Sequence, residues 1–149
     1  MWLRALIACL VLPGVVAFTV PLAWLRATGQ LQVVRPLGLA ILAAGVVALL
    51  WCVRDFYVAG RGTLAPWAPP QRLVVIGLYR YTRNPMYMAV VSILLGWSMA
   101  FGSAGLLVYA AVVASAFHLR VVRVEEPTLA RSFGADCARY RQRVPRWLW

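Results

Sequence analysis

Apolar residues gather in four long runs along the chain, not at the three-to-four-residue spacing of a surface helix. The runs cover residues 5–25, 37–58, 86–101 and 106–124. A helix that crosses a bilayer needs about 20 apolar residues, within a range of about 17–25. The first, second and fourth runs meet that length, and the third reaches it when its helix starts near Asn84. The turn Gly102-Ser103-Ala104-Gly105 joins the third and fourth runs into a hairpin. The pattern predicts an all-α polytopic membrane protein with about four transmembrane helices. Pro13 and Pro21 predict kinks in the first helix, with neighbouring helices taking up the carbonyls they free. That first run has the basic start of a signal peptide. Its length and the lack of a small-x-small cleavage site predict a retained helix.

Composition agrees with this pattern. The chain has 149 residues, enough for one domain, and is 63% hydrophobic and 13% charged. That mix excludes disorder and is unusual for a water-soluble domain. Within the single domain, residues 1–59 are expected to form two scaffold spans. Residues 60–149 then supply a loop, the helical hairpin and a tail. All 15 basic residues are arginine, and the net charge is +11. With four spans, Arg4, the arginines of the 60–84 loop and those from Arg120 onward share one face, while the other has Arg26 and Arg35. The positive-inside rule predicts cytoplasmic termini, in a bacterial-type inner membrane. The charge then reports topology and attraction to anionic headgroups, not a nucleic-acid partner. Cys9, Cys52 and Cys137 are isolated, match no metal or disulfide spacing, and are expected to be small buried hydrophobes.

Two segments lie outside the runs. GRGTLAPWAPPQRLVVIGLYRYTRN, residues 60–84, is too long for a simple connection. Its Gly60-Arg61-Gly62 turn suits either close backbone approach to a ligand or a helix stop. Leu73–Ile76 suits a short extended piece ending at Gly77. In the tail, Leu129, Phe133, Cys137, Tyr140 and Val144 recur three or four residues apart, the apolar face of one or two helices. Gly134 is expected to end the first piece and Asp136 to cap the second. Arg131, Arg139, Arg141 and Arg143 make the other face, and Trp147-Leu148-Trp149 suits an interfacial anchor.

The chemistry concentrates in YRYTRNPMY, residues 79–87. Pro85 should hold Asn84 extended and start a helix. Arg83 and Asn84 would then sit at a helix N-terminus, which favours anionic groups. Tyr79, Tyr81 and Tyr87 add apolar bodies with polar tips. Glu125 and Glu126, two of only four acids, follow the fourth run near Arg120 and Arg123. Carboxylates so close to hydrocarbon are costly unless they are paired or functional. An aromatic-basic membrane belt explains the tyrosines and arginines, but not Asn-Pro with a distant Glu-Glu. His118, the single histidine, suits a core or interface position, or a base.

GLYRYTRNPMY, a two-span hairpin and VEEPTLARSFGADCARYRQRVPR, in that order, resemble the isoprenylcysteine carboxyl methyltransferase superfamily, which includes phospholipid N-methyltransferases. The resemblance covers residues 60–146. It implies an integral-membrane, S-adenosylmethionine-dependent methyltransferase with an all-helical fold. A cytoplasmic cofactor pocket would be formed by the loop and the C-terminal helices. By this resemblance Tyr79, Tyr81, Arg83, Asn84, Pro85, Glu125, Glu126, Phe133, Gly134 and Tyr140 bind the cofactor. Arg83, Asn84 and Tyr87 would be catalytic, and no metal is needed. The carboxyl methyltransferases have histidine where this chain has Asn84, which cannot accept a proton. Pro127 is expected to bend a helix that the family continues. The acceptor would be a lipophilic molecule entering from the bilayer, with a carboxylate, amine or thiol to methylate. A membrane reductase of related helical architecture and a non-catalytic scaffold that binds anionic lipid are the alternatives.

Overall fold

The computed structural model describes residues 13–32, 34–60 and 73–148, and among these no strand occurs. Five α-helices follow in order: α1 (Val20–Thr28), α2 (Pro36–Gly60), α3 (Pro85–Phe101), α4 (Ala104–Arg120) and α5 (Glu126–Arg143). Short 3-10 turns occupy Gln30–Gln32 and Gly77–Arg80, and π-helical turns occupy Val15–Thr19 and Val121–Glu125. The all-α expectation holds. Two helical stretches among the described residues are long and apolar enough to cross a membrane. They are Pro36–Phe56, whose most apolar 18 residues have mean hydropathy 2.4, and the continuous helix Ala104–Arg143, whose most apolar 18 residues have mean hydropathy 1.8. The arginine-rich α5 is the polar end of that second stretch. The other two expected spans are shorter apolar helices, Val15–Thr28 and Pro85–Phe101. Residues 5–12 of the first run, Cys9 and the Arg61–Gly62 part of the glycine turn lie outside the described residues.

Both π turns have the same cause. Pro21 and Pro127 each stand two residues beyond a π turn and lack the N–H that a helix needs there. The ladder widens, so that Val20 N–H reaches back to Val15 O and Glu126 N–H to Val121 O. Pro21 would otherwise bond the Ala17 carbonyl. Trp97 Nε1 on α3 donates to that oxygen at 2.9 Å, and the Tyr109 hydroxyl on α4 donates to Val16 O at 3.2 Å. At Pro127, where a bend is expected, α4 continues through the second π turn into α5 as one helix. At Gly134 the backbone leaves helical geometry (φ 44°, ψ −117°) and α5 kinks, as its position in the tail predicts. Asp136 is expected to cap the second piece, but the hydrogen bond its carboxylate makes among the described residues is to Arg139, one turn on.

The core lies between α2 and α3 and extends to α4 through Ala89, Ile93, Leu94 and Ala110. Small residues bring the first two together: a Cβ on Gly38 would stand 2.1 Å from Ala100 N, and one on Gly96 2.5 Å from Leu42 N. Such backbone proximity gives membrane helices the packing that a hydrophobic driving force cannot supply in lipid. Leu37, Val47 and Leu50 on α2 and Val108 and Val112 on α4 stay exposed, as lipid-facing side chains do. Cys52 and Cys137 are buried free thiols, in keeping with their expected role.

Candidate active site

The hairpin sets the site. Gly102 in the left-handed conformation ends α3, and Ser103 caps α4 by accepting from Leu106 N–H at 3.4 Å. The two helices therefore run antiparallel, and the start of α3 returns beside the end of α4. Residues 79–87 and 125–146, far apart in sequence, meet there.

Glu126 is the hub. It is 8% exposed, and Arg83 Nη1 donates to its Oε1 at 2.9 Å. Arg146 donates to both oxygens, Nε at 2.7 Å and Nη2 at 3.0 Å, and Arg141 Nη2 donates to Oε2 at 3.3 Å. Burial opposes the carboxylate's charge, but the Arg146 hydrogen bonds and the three guanidiniums hold its pKa below the ordinary value. One carboxylate against three arginines leaves the cluster cationic. Arg83 Nε is buried with no hydrogen-bond partner among the described residues, so this guanidinium retains an unspent donor. Burial also lowers the Arg83 pKa.

Glu125 lies on the next position and faces a different set. Its Oε1 accepts from Arg120 Nε at 2.9 Å and from the Tyr87 hydroxyl. Its Oε2 has no hydrogen bond among the described residues, and the side chain is 30% exposed. The Tyr87 ring packs on Phe117 with centroids 4.4 Å apart.

The C-terminal segment is sewn onto the start of α3. Arg83 N–H donates to Pro145 O at 2.9 Å, while Thr82 Oγ1 and Asn84 Nδ2 donate to Arg146 O at 3.1 and 2.9 Å. Asn84 therefore spends its amide on the tail. Its backbone (φ −129°, ψ 48°) departs from the extended geometry expected before proline, although α3 does start at Pro85, which is buried. Tyr140 donates from its hydroxyl to Tyr79 O at 2.6 Å, and burial pushes its phenol pKa up to about 12. Tyr79 is buried against Phe56, and burial raises its pKa well above the ordinary value. Tyr81 is 72% exposed and stands apart. Phe133 is half-buried and Gly134 exposed, at the kink of α5.

Asp55 belongs to the surroundings of the site without any signal in the motifs. Its side chain is 2% exposed, Arg54 Nη1 donates to Oδ1 at 3.1 Å, and buried Oδ2 has no partner among the described residues. Gly77 (φ 55°) packs directly on it, and a Cβ there would stand 1.8 Å from Oδ2. The cost of an acid at the end of an apolar span, the reasoning that singles out the glutamates, marks Asp55 equally. Arg141 and Arg146 read in the sequence as a basic helix face and tail, and the structure turns both onto Glu126. Among the described residues no group of acids, histidines and cysteines is arranged to hold a metal.

The family model described as phospholipid methyltransferase matches residues 33–136, more than two thirds of the chain. No curated protein and no solved structure matches it.

Proposed function

The chain belongs to the phospholipid methyltransferase family, and from that premise we propose that it is an S-adenosylmethionine-dependent membrane methyltransferase. Its acceptor is a lipophilic molecule at the cytoplasmic face, with an amine, carboxylate or thiol to methylate. The excess of arginine at the site's end of the helices supports that orientation. The observation that carries the reading is the joining of residues 79–87 to Glu125 and Glu126, with a buried donor on Arg83 left over.

The residues present fit the cofactor. Arg83 Nε and the net positive cluster around it suit a carboxylate. Glu125, through Oε2, suits an ammonium or ribose hydroxyls. Glu126, with both oxygens on arginines, positions Arg83, and Asn84 positions the tail. When bound, S-adenosylmethionine supplies an electrophilic methyl group on a sulfonium that leaves as a neutral thioether. The protein's part is then placement and exclusion of water, worth about 7–11 kcal/mol where alignment is good. Tyr87, fixed by Glu125 and Phe117, orients what approaches from the hairpin side.

Isothermal titration of the detergent-purified full chain with S-adenosylhomocysteine, beside the reduced nicotinamide cofactor, tests the reading. Saturable binding of the first alone is expected. Binding of the nicotinamide alone would favour a reductase, and binding of neither a scaffold.

A further inference from the structure

An open groove of about 630 Å³ runs between α3 and α4, starting at Tyr87. That volume lies within the roughly 300–1,000 Å³ of small-molecule sites. Along the two antiparallel helices its lining runs from Tyr87, His118 and Trp147 at one end, past Val91, to Ser92, Ala114 and Ser115 at the other. Ser92 is five residues beyond Tyr87, about 7.5 Å along the helix. Ser115 spends its hydroxyl on Ala111 O at 2.9 Å, so it offers the groove smallness more than polarity. Trp147 Nε1 donates to His118 Nδ1 at 3.3 Å. Nδ1 of His118 is thus taken up as the acceptor of that bond. The groove is thus polar at one end and apolar along its length, the polarity of an amphiphile lying with its head at Tyr87.

We infer that this groove holds a hydrocarbon chain of the methyl acceptor, and that Ser92 and Ser115 set how deeply the chain enters. The inference rests on the methyltransferase reading. Continuity carries it: Tyr87 is both a wall of the groove and the partner of Glu125. A head at the Tyr87 end therefore lies beside the carboxylate assigned to the cofactor. Ordinary boundary lipid needs only an apolar face. Here the C-terminal segment comes over the Tyr87 end, held by Arg83, Thr82 and Asn84.

The test uses the full chain in phosphatidylcholine vesicles doped with a phosphatidylethanolamine that carries a diazirine in one acyl chain. Label is expected on residues 87–92 and 114–119, several-fold above that at Val47 and Leu50 on the lipid face of α2. Unlabelled phosphatidylethanolamine should compete. Ser92→Trp and, from the facing helix, Ser115→Trp should each cut the groove label several-fold with S-adenosylhomocysteine affinity unchanged. Even labelling over α2 and the hairpin, as for boundary lipid, would overturn the inference, as would groove label that neither tryptophan reduces. Absence of S-adenosylhomocysteine binding to the wild type is a separate readout, and it would remove the methyltransferase reading instead.

Discussion

Two adjacent glutamates carry different burdens, and their substitutions should separate. Glu126→Gln removes the counter-charge from Arg83, Arg141 and Arg146 at once. Breaking such a buried pair should cost on the order of 3 kcal/mol of stability, read as a lower unfolding midpoint in detergent. Glu125→Gln leaves that cluster intact. It should weaken S-adenosylhomocysteine binding by roughly 1.5–3 kcal/mol, the worth of a charge-assisted hydrogen bond, with little change in the midpoint. A pH dependence follows for Glu126, whose folded-state pKa lies below the ordinary 4.5. Its contribution is complete above that ordinary value and is lost as pH falls through the folded value. Acid unfolding of the wild type should therefore steepen below about pH 4.5, and Glu126→Gln should flatten that limb. The motif made these glutamates and Arg83 legible in the sequence. Asn84 was legible as a helix start but not as the clasp on Arg146 O, because a backbone acceptor has no sequence signature.

Among the elements, the turn Gly77–Arg80 depends on a contact that no local pattern announces. Gly77→Ala places a methyl group on the Asp55 carboxylate and strains a left-handed backbone. The conformation alone costs about 1–2 kcal/mol. Adding Asp55→Ala should remove the clash and leave the strain, so the double variant should recover part of the lost thermal stability. No recovery would mean that Asp55 does not support the turn. The hairpin and the kink at Gly134 were readable from Gly, Ser and apolar spacing. The π turns were not, since the prolines at 21 and 127 announce a missing N–H without saying how the ladder accommodates it. Trp97 and Tyr109, which serve the freed carbonyls of the first helix, are read in sequence only as apolar span residues.

For the whole molecule, the apolar runs announced the helices, and the two motifs announced which ends meet. Their packing through Gly38 and Gly96 depends on facing partners that periodicity does not name. The four-span topology makes a direct prediction. Single cysteines at Gly29 and Ala68, in a background lacking the native cysteines, should label from opposite sides of sealed vesicles. Labelling from the same side would separate the two scaffold helices from the proposed face of the site. The central claim is that Arg83 is a ligand for the cofactor's carboxylate, held in place by Glu126. Lysine at this position keeps a charge for Glu126 but lacks the planar fork and its spare Nε donor. The most direct measurement is the S-adenosylhomocysteine affinity of Arg83→Lys against the wild type, by calorimetry on protein with matched unfolding midpoints. The account predicts at least about a tenfold loss, the equivalent of one charge-assisted hydrogen bond; an unchanged affinity would contradict it.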